Sequence, residues 1–456
     1  MEKVREHWSS KLGFLLAAIG STVGLGLLWK FPYVIGQNGG GLFLITYFVC
    51  IFIVGIPVFI GELVLGRYTQ RAAVGSFEVA APKSPSWRIG GYLGVLASFL
   101  IMSFYSVIAG WGMSYVLMSL NGFYTGKSLD EIGMVFDKLS QSGSITLLWH
   151  FLFTAITMGI VMSGVRRGIE YWSKIMVKIL LVLLIGLFIY SMSLPGFNKA
   201  CAFVFLPSSN SFSITSVLEA LGLAFMTMSL GQGVMISYGS YLQPKENVMK
   251  MALIIAGSVL VVAILSALTI FPVVFTFGLP PDSGPGLVFK TLPYLFAQLP
   301  GTIVISTVFF ALFVFTALTS AVPLIEVVAT NIMEHFGTGR KKSVLGVGLA
   351  TFIFGIPSAL SGSVDLFPQW SLIFGSNFLD TINDFVSIWV IPFAGLITSI
   401  FIGWKMEKDA TYRELVTTTG MKPIWMIWRF FIRYVVPVVI IIIIIQTSGL
   451  FDFTKF

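Results

Sequence analysis

About eleven apolar runs divide this chain, each roughly 20 residues or longer, the length of helix that spans a bilayer. They begin near Leu12, Gly41, Gly91, Thr146, Gly168, Thr215, Met249, Gly301, Ser343, Ile382 and Trp425. In hydrocarbon every backbone N–H and C=O needs a partner, and an α-helix supplies it within the segment. The pattern predicts an all-α integral membrane protein with about 11 transmembrane helices. Composition agrees, since 56% of the 456 residues are hydrophobic and 11% charged, with a mean hydropathy of +0.92. The longest polar intervals, Asn121 to Ser144, Pro195 to Ser213 and Phe277 to Pro300, are too short for a soluble domain. The last contains GLPPDSGPG, turn chemistry expected of an outer lid loop.

Lysine and arginine fall on alternate sides of these runs. One side collects Lys3, Arg5, Lys11, Arg67, Arg71, Lys83, Arg88, Arg166 and Arg167, and later Lys245, Lys250, Arg340, Lys341, Lys342, Lys405, Lys408, Arg413, Lys422, Arg429 and Arg433. The other carries mainly Lys127, Lys138, Lys199 and Lys290. Basic loops stay inside, so a multi-pass protein of the cell membrane is expected, N-terminus cytoplasmic and C-terminus extracellular. The same rule explains the net charge of +8 without a nucleic-acid partner. Cys50, in an apolar helix, and Cys201, in an outer loop, imply no intramolecular disulfide. The opening MEKVREHW lacks the features of a signal peptide. With no Walker sequence, CxxC pair or HExxH, nothing points to ATP coupling, metal catalysis or an enzyme.

The first run is interrupted. Gly20 to Tyr33 reads GSTVGLGLLWKFPY, with Gly20, Gly24 and Gly26 ahead of Lys30 and Pro32. Each interior glycine weakens a helix by about 1 kcal/mol, and an unpaired carbonyl in hydrocarbon costs several kcal/mol more. A second interruption, Ser229-Leu230-Gly231-Gln232-Gly233, lies in the sixth run. Matched breaks five helices apart predict an inverted repeat: 1–192 for helices 1 to 5, 193–404 for helices 6 to 10, and 405–456 for helix 11 and the tail. Free N–H groups at such breaks attract a carboxylate and free carbonyls attract a cation. Glycines also serve close helix packing; the hydroxyl residues beside both breaks favour a ligand site.

These residues resemble a known family. REHWSSKLGFLLAAIGSTVGLGLLWKFPY, GQNGGGLFLITY, GELVLGRY, AFMTMSLGQGVMISYGSY and FTALTSAVPLIEVV are together similar to the neurotransmitter:sodium symporters, notably their bacterial amino-acid transporters. The likeness runs from Arg5 to about Trp404. It implies a leucine-transporter-like fold, a five-plus-five inverted repeat whose broken helices 1 and 6 pack with helices 3 and 8 around a small-molecule substrate. By the same resemblance Tyr105 and the Gly26 amide hold the substrate carboxylate. Carbonyls near Thr22, Met226, Thr227 and Ser229 take its amino group. Gly24, Ile101, Gln232, Met235, Ser320 and Leu324 complete the pocket. Met226 replaces an aromatic lid and Gln232 an apolar residue; the pocket stays largely hydrophobic. The implied function is alternating-access symport of a small hydrophobic or aromatic amino acid or related carboxylate, with the bilayer as the other partner and no cofactor. A non-transporting membrane sensor is the reading from another class.

The departures concern the coupling ion. Leu27 and Val259 stand where the family uses asparagines for its first sodium, and alkyl groups cannot coordinate a hard cation. The second sodium site keeps its pattern in Gly20, Val23, Thr316, Thr319 and Ser320. In helix 5, however, Lys178 replaces a proline about 15 Å from the helix end at Gly168. A charged lysine at such depth costs roughly 2.5–3.5 kcal/mol unpaired. Its ammonium is therefore expected in the second site, making H+ the coupling ion. Na+ at that site is the alternative, with Lys178 snorkelling as Lys174 does. For the gates, the resemblance implies Lys30 paired with Asp384 or Asp380 at the outer end. At the inner end it implies Arg5 and Trp8, with Glu334 as partner. Glu62 matches a family position, Glu326 reads as a second proton carrier or a structural partner, and His150 is expected to pack.

Overall fold

A computed structural model describes residues 6–207, 211–279, 285–362, 370–420 and 422–448. Among them there is no strand beyond one isolated bridge, Gly40 with Pro207, and the chain is a helical bundle. Helices 2 to 5 are Gly41–Thr69, Pro85–Leu120, Gly143–Met162 and Val165–Ser191. Helices 7 to 11 are Val248–Thr276, Thr302–Phe336, Arg340–Ala359, Trp370–Lys405 and Lys422–Thr447. All nine are long and apolar enough to cross a bilayer. Helix 1, in two pieces, makes a tenth; the sixth run holds the shorter apolar helix Ile214–Thr227 in place of a full-length span. Helix 10 starts well before Ile382 because the turns Trp370–Phe374 and Phe378–Phe385 precede it. Of the expected lid loop, residues 280–284 lie outside the described residues.

Helix 1 begins where the Ser10 hydroxyl accepts the Gly13 N–H at 3.0 Å, an N-cap. Its first piece, Lys11–Thr22, ends at Val23; the second, Gly26–Gln37, leaves at 47°. The second piece opens as the wide turns Gly26–Lys30 and runs on into Phe31–Gln37 with Pro32 inside it, whose missing N–H leaves a carbonyl of the preceding wide turn without its helical donor. Helix 6 runs Ile214–Thr227, stops, and resumes as Val234–Gly239. Between these pieces Ser229, Gly231 and Gly233 have φ of 53°, 70° and 69°, a region that disfavours side chains and explains two of the three being glycine.

Helices 3 and 8, the two long rods, pack against one another and carry the breaks between them. Glu62 of helix 2 is fully buried and accepts the Gly231 N–H at 2.8 Å, closing one orphaned donor of the helix-6 break. His150 packs as expected, with Nδ1 2.9 Å from the Ser106 hydroxyl and Nε2 3.1 Å from the Phe352 carbonyl, tying helix 4 to helices 3 and 9. Glu326 has the structural partnership: Arg340 donates to both its oxygens at 2.7 and 3.0 Å and the Tyr241 hydroxyl donates at 2.6 Å.

Candidate functional site

The two breaks meet. The Ser229 hydroxyl donates to the Ser21 carbonyl at 3.1 Å, so the end of the first piece of helix 1 is tied to the helix-6 break. Around this junction lies a cavity of about 80 Å³. Thr22, Gly24 and Gly26 form its helix-1 wall, Met226, Thr227, Ser229 and Gln232 its helix-6 wall. Ile101 and Tyr105 come from helix 3, Ser320 and Leu324 from helix 8. Met235 is the exception among the residues expected here: it is fully buried but does not line the cavity. It lies beyond the break, where Val234–Gly239 has become helical again and turns it elsewhere.

Most polar groups in this wall are already satisfied. Thr22 donates to Ala18 and Ile19, and Thr227 donates to the Leu223 carbonyl at 2.9 Å while lying 2.8 Å from the Tyr47 hydroxyl. Tyr105, Gln232 and Ser387 are not. The Tyr105 hydroxyl is buried without a hydrogen bond, although the Ser320 hydroxyl and the Leu25 N–H lie close to it. The Gln232 carboxamide, on a residue 7% exposed, also has no partner among the described residues. Tyr105 and the N–H groups that start the second piece of helix 1 make a set of donors suited to a carboxylate.

Below the cavity, helices 1, 5 and 8 converge. A methyl group added at Gly20 would lie 2.9 Å from Thr319 Cβ and 2.9 Å from Val177 Cγ2, so glycine is what permits this approach. Ser320 donates to the Gly20 and Ser21 carbonyls, each at 3.2 Å, and the Thr319 hydroxyl donates to the Thr316 carbonyl at 2.9 Å. Val23, Leu27 and Val259 are buried at 1%, 0% and 0% exposure. Neutral oxygens of Gly20, Thr316, Thr319 and Ser320 are thus gathered, a donor chemistry that fits a hard cation such as sodium.

Lys178 is not among them. Val177 is the helix-5 residue turned to Gly20, and Lys178 is exposed on the outer surface of the bundle. This overturns its expected place in the second cation site. One residue along a helix rotates the side chain by about 100°, so correct depth gave the wrong direction. Side chains lean toward the helix N-terminus, so Lys178 leans toward the end of helix 5 that bears the exposed Tyr171 and Trp172. Lys174 does not snorkel freely: it pairs with Glu170 at 2.6 Å.

At the wide end the cavity continues through Met226, Asn383, Ser387 and Ile391 into a vestibule of about 480 Å³. Lys30, Glu219 and Asp384 line it, and among the described residues no ion pair joins Lys30 to Asp384. Asp380 is engaged elsewhere, its carboxylate accepting the side-chain amide of the N-cap Asn377 at 2.8 Å and its N–H donating to the Asn377 side-chain oxygen at 2.9 Å, so Asp384 is the acid that faces Lys30. The opposite end is shut. Trp8, 4% exposed, donates from its ring to the Tyr238 carbonyl at 3.1 Å and from its backbone to Tyr241 at 3.2 Å. Glu334 receives the Ala72 N–H at 2.9 and 3.0 Å; its expected partner Arg5 lies outside the described residues. Glu170 fastens the start of helix 1, accepting the Ser9 N–H at 2.7 Å and the Ser9 and Ser10 hydroxyls at 2.6 and 2.8 Å.

Residues 5–125 and 121–455 match the profile of the sodium:neurotransmitter symporter family. The chain belongs to that family. An uncharacterised sodium-dependent transporter of Bacillus subtilis is 37% identical over 450 residues, covering 98% of each chain. One from Methanocaldococcus jannaschii is 31% identical over 468 residues, covering 98% of this chain and 92% of its own. The crystal structure of MhsT in complex with L-phenylalanine shares 38% identity and a TM-score of 0.88, covering 97% of this chain and 100% of MhsT. The symporter is therefore a multi-pass membrane transport protein of the leucine-transporter fold, and not an enzyme.

Sequence reasoning missed Ser21, Leu25, Phe104, Asn383, Ser387 and Ile391 in the cavity wall. It also missed Glu170 and Glu219. Both glutamates carried a signal, a carboxylate set in or beside an apolar run, which in a membrane protein needs a named partner. Glu219 has one in the Asn38 amide at 2.8 Å.

Proposed function

We propose that this symporter carries a small amino acid or related carboxylate, coupled to one sodium ion at the helix 1–helix 8 junction. The observation that supports it most is the convergence of Gly20, Thr316, Thr319 and Ser320 with Val177, rather than Lys178, as the facing helix-5 residue. The substrate carboxylate lies against Tyr105 and the Leu25 and Gly26 amides, its amino group against helix-1 and helix-6 carbonyls, and its side chain among Ile101, Phe104, Leu324 and Ile391. A phenylalanine complex of the similar MhsT agrees with a substrate of this kind.

No first sodium site operates in this reading. Leu27 and Val259 offer alkyl groups, and the Thr227 hydroxyl is engaged with Tyr47 and Leu223. The end bearing Trp8, Arg71 and Arg340 is the cytoplasmic one, so the open vestibule faces outward and Lys30 and Asp384 close over a bound substrate.

Uptake of amino acids into proteoliposomes, driven in turn by a sodium gradient and by a pH gradient, tests the proposal. Accumulation is expected with sodium alone, unchanged in Lys178→Ala. Accumulation driven by the pH gradient and lost in Lys178→Ala would overturn it, and binding without any accumulation would leave a sensor.

A further inference from the structure

Three polar side chains of the cavity wall have no hydrogen-bond partner among the described residues, Tyr105, Gln232 and Ser387; the substrate carboxylate accounts for Tyr105, and Ser387 lies at the mouth shared with the vestibule, which leaves Gln232. Tyr105 sits beside the helix-1 amides that receive the carboxylate. Gln232 belongs to the helix-6 break, and its backbone is held away from the ligand: its carbonyl accepts the Ser98 hydroxyl at 2.7 Å. Its backbone also packs so tightly on helix 3 that a methyl group at Gly94 would lie 3.3 Å from its carbonyl carbon and 2.9 Å from the Gly233 nitrogen. Only the side chain is free to face the cavity, and it does so from a residue 7% exposed.

We infer that Gln232 is the specificity-determining residue of this pocket. It selects substrates whose side chain ends in an uncharged hydrogen-bonding group, a phenol or a carboxamide, above those ending in alkyl or phenyl. A carboxamide carries two donors and two acceptor lone pairs. An apolar side chain pressed against it displaces water and replaces none of those bonds, whereas a phenol or amide restores them. Sites built to bond a polar group reject analogues that lack it far more strongly than apolar pockets separate homologues. The apolar flank of Ile101, Phe104, Leu324 and Ile391 holds the stem of such a side chain, and Gln232 reads its tip.

This rests on the proposed amino-acid reading, and the experiment separates the two. Dissociation constants for tyrosine against phenylalanine, and for glutamine against methionine, are measured by calorimetry on the full-length purified protein in sodium buffer. For at least one pair the polar member is expected to bind about tenfold tighter or more. Gln232→Leu, and Gln232→Met should the first variant fold poorly, would loosen the polar member and tighten the apolar one, inverting the ratio. A wild-type preference for the apolar member of both pairs, or a ratio untouched by either variant, overturns the inference alone. Absence of binding by all four amino acids overturns the proposed function, and this inference with it.

Discussion

The hydroxyl of Ser320, on helix 8, reaches the carbonyl of Gly20, on helix 1, at 3.2 Å. It shares one hydrogen between that carbonyl and the Ser21 carbonyl, so its lone pairs remain available to a cation while it holds the helices together. Ser320→Ala is expected to raise the sodium concentration for half-maximal binding by about tenfold to a hundredfold, the range of roughly 1–3 kcal/mol. Melting curves in sodium against choline measure it, and an unaltered sodium response would remove Ser320 from the site.

Gly20 tolerates no side chain. Gly20→Ala places a methyl group 2.9 Å from both Thr319 and Val177, and overpacking of this kind costs about 1–3 kcal/mol. A lower melting temperature is expected together with a lost sodium response. Adding Val177→Ala relieves one of the two clashes, and recovery of part of the stability but not all of it is the predicted result.

Tyr105→Phe removes a hydroxyl that bonds nothing in the protein. Stability in the absence of substrate should hold, while affinity for a carboxylate substrate falls by roughly tenfold or more, since bonds to a charged group contribute about 1.5–3 kcal/mol. Equal affinity in wild type and variant would move the carboxylate elsewhere.

Glu170→Gln exchanges a carboxylate that accepts from Ser9, Ser10 and Lys174 for an amide with fewer acceptors. Hydrogen exchange in Lys11–Thr22 is expected to quicken by about tenfold, because each lost bond contributes on the order of 1 kcal/mol. No change there would show that Trp8 alone keeps this end shut.

Depth was readable from the chain; direction was not. Counting residues placed both breaks and the long spans, and the family resemblance supplied much of the cavity wall. Glycine, proline and hydroxyl groups announce themselves wherever a helix must stop in hydrocarbon. Lys178 failed because composition fixes how far along helix 5 it lies, while packing against Gly20 decides that Val177 turns inward. Met235 failed for a related reason, since the helix resumes between Gln232 and it. Asn383, Ser387 and Ile391 reach the cavity only through tertiary packing of helix 10, for which a single sequence carries no periodic signal.

Leu27 and Val259, buried without a polar atom between their side chains, bear on how steep a gradient the carrier can build. Each positive charge moved through 100 mV supplies about 2.3 kcal/mol, close to fifty-fold in concentration. On the single-ion reading, a carrier with one sodium per substrate forgoes that second factor and stalls at a shallower accumulation. It also returns to rest with one fewer ion for the cell to pump out, a division of labour suited to a solute that is abundant outside.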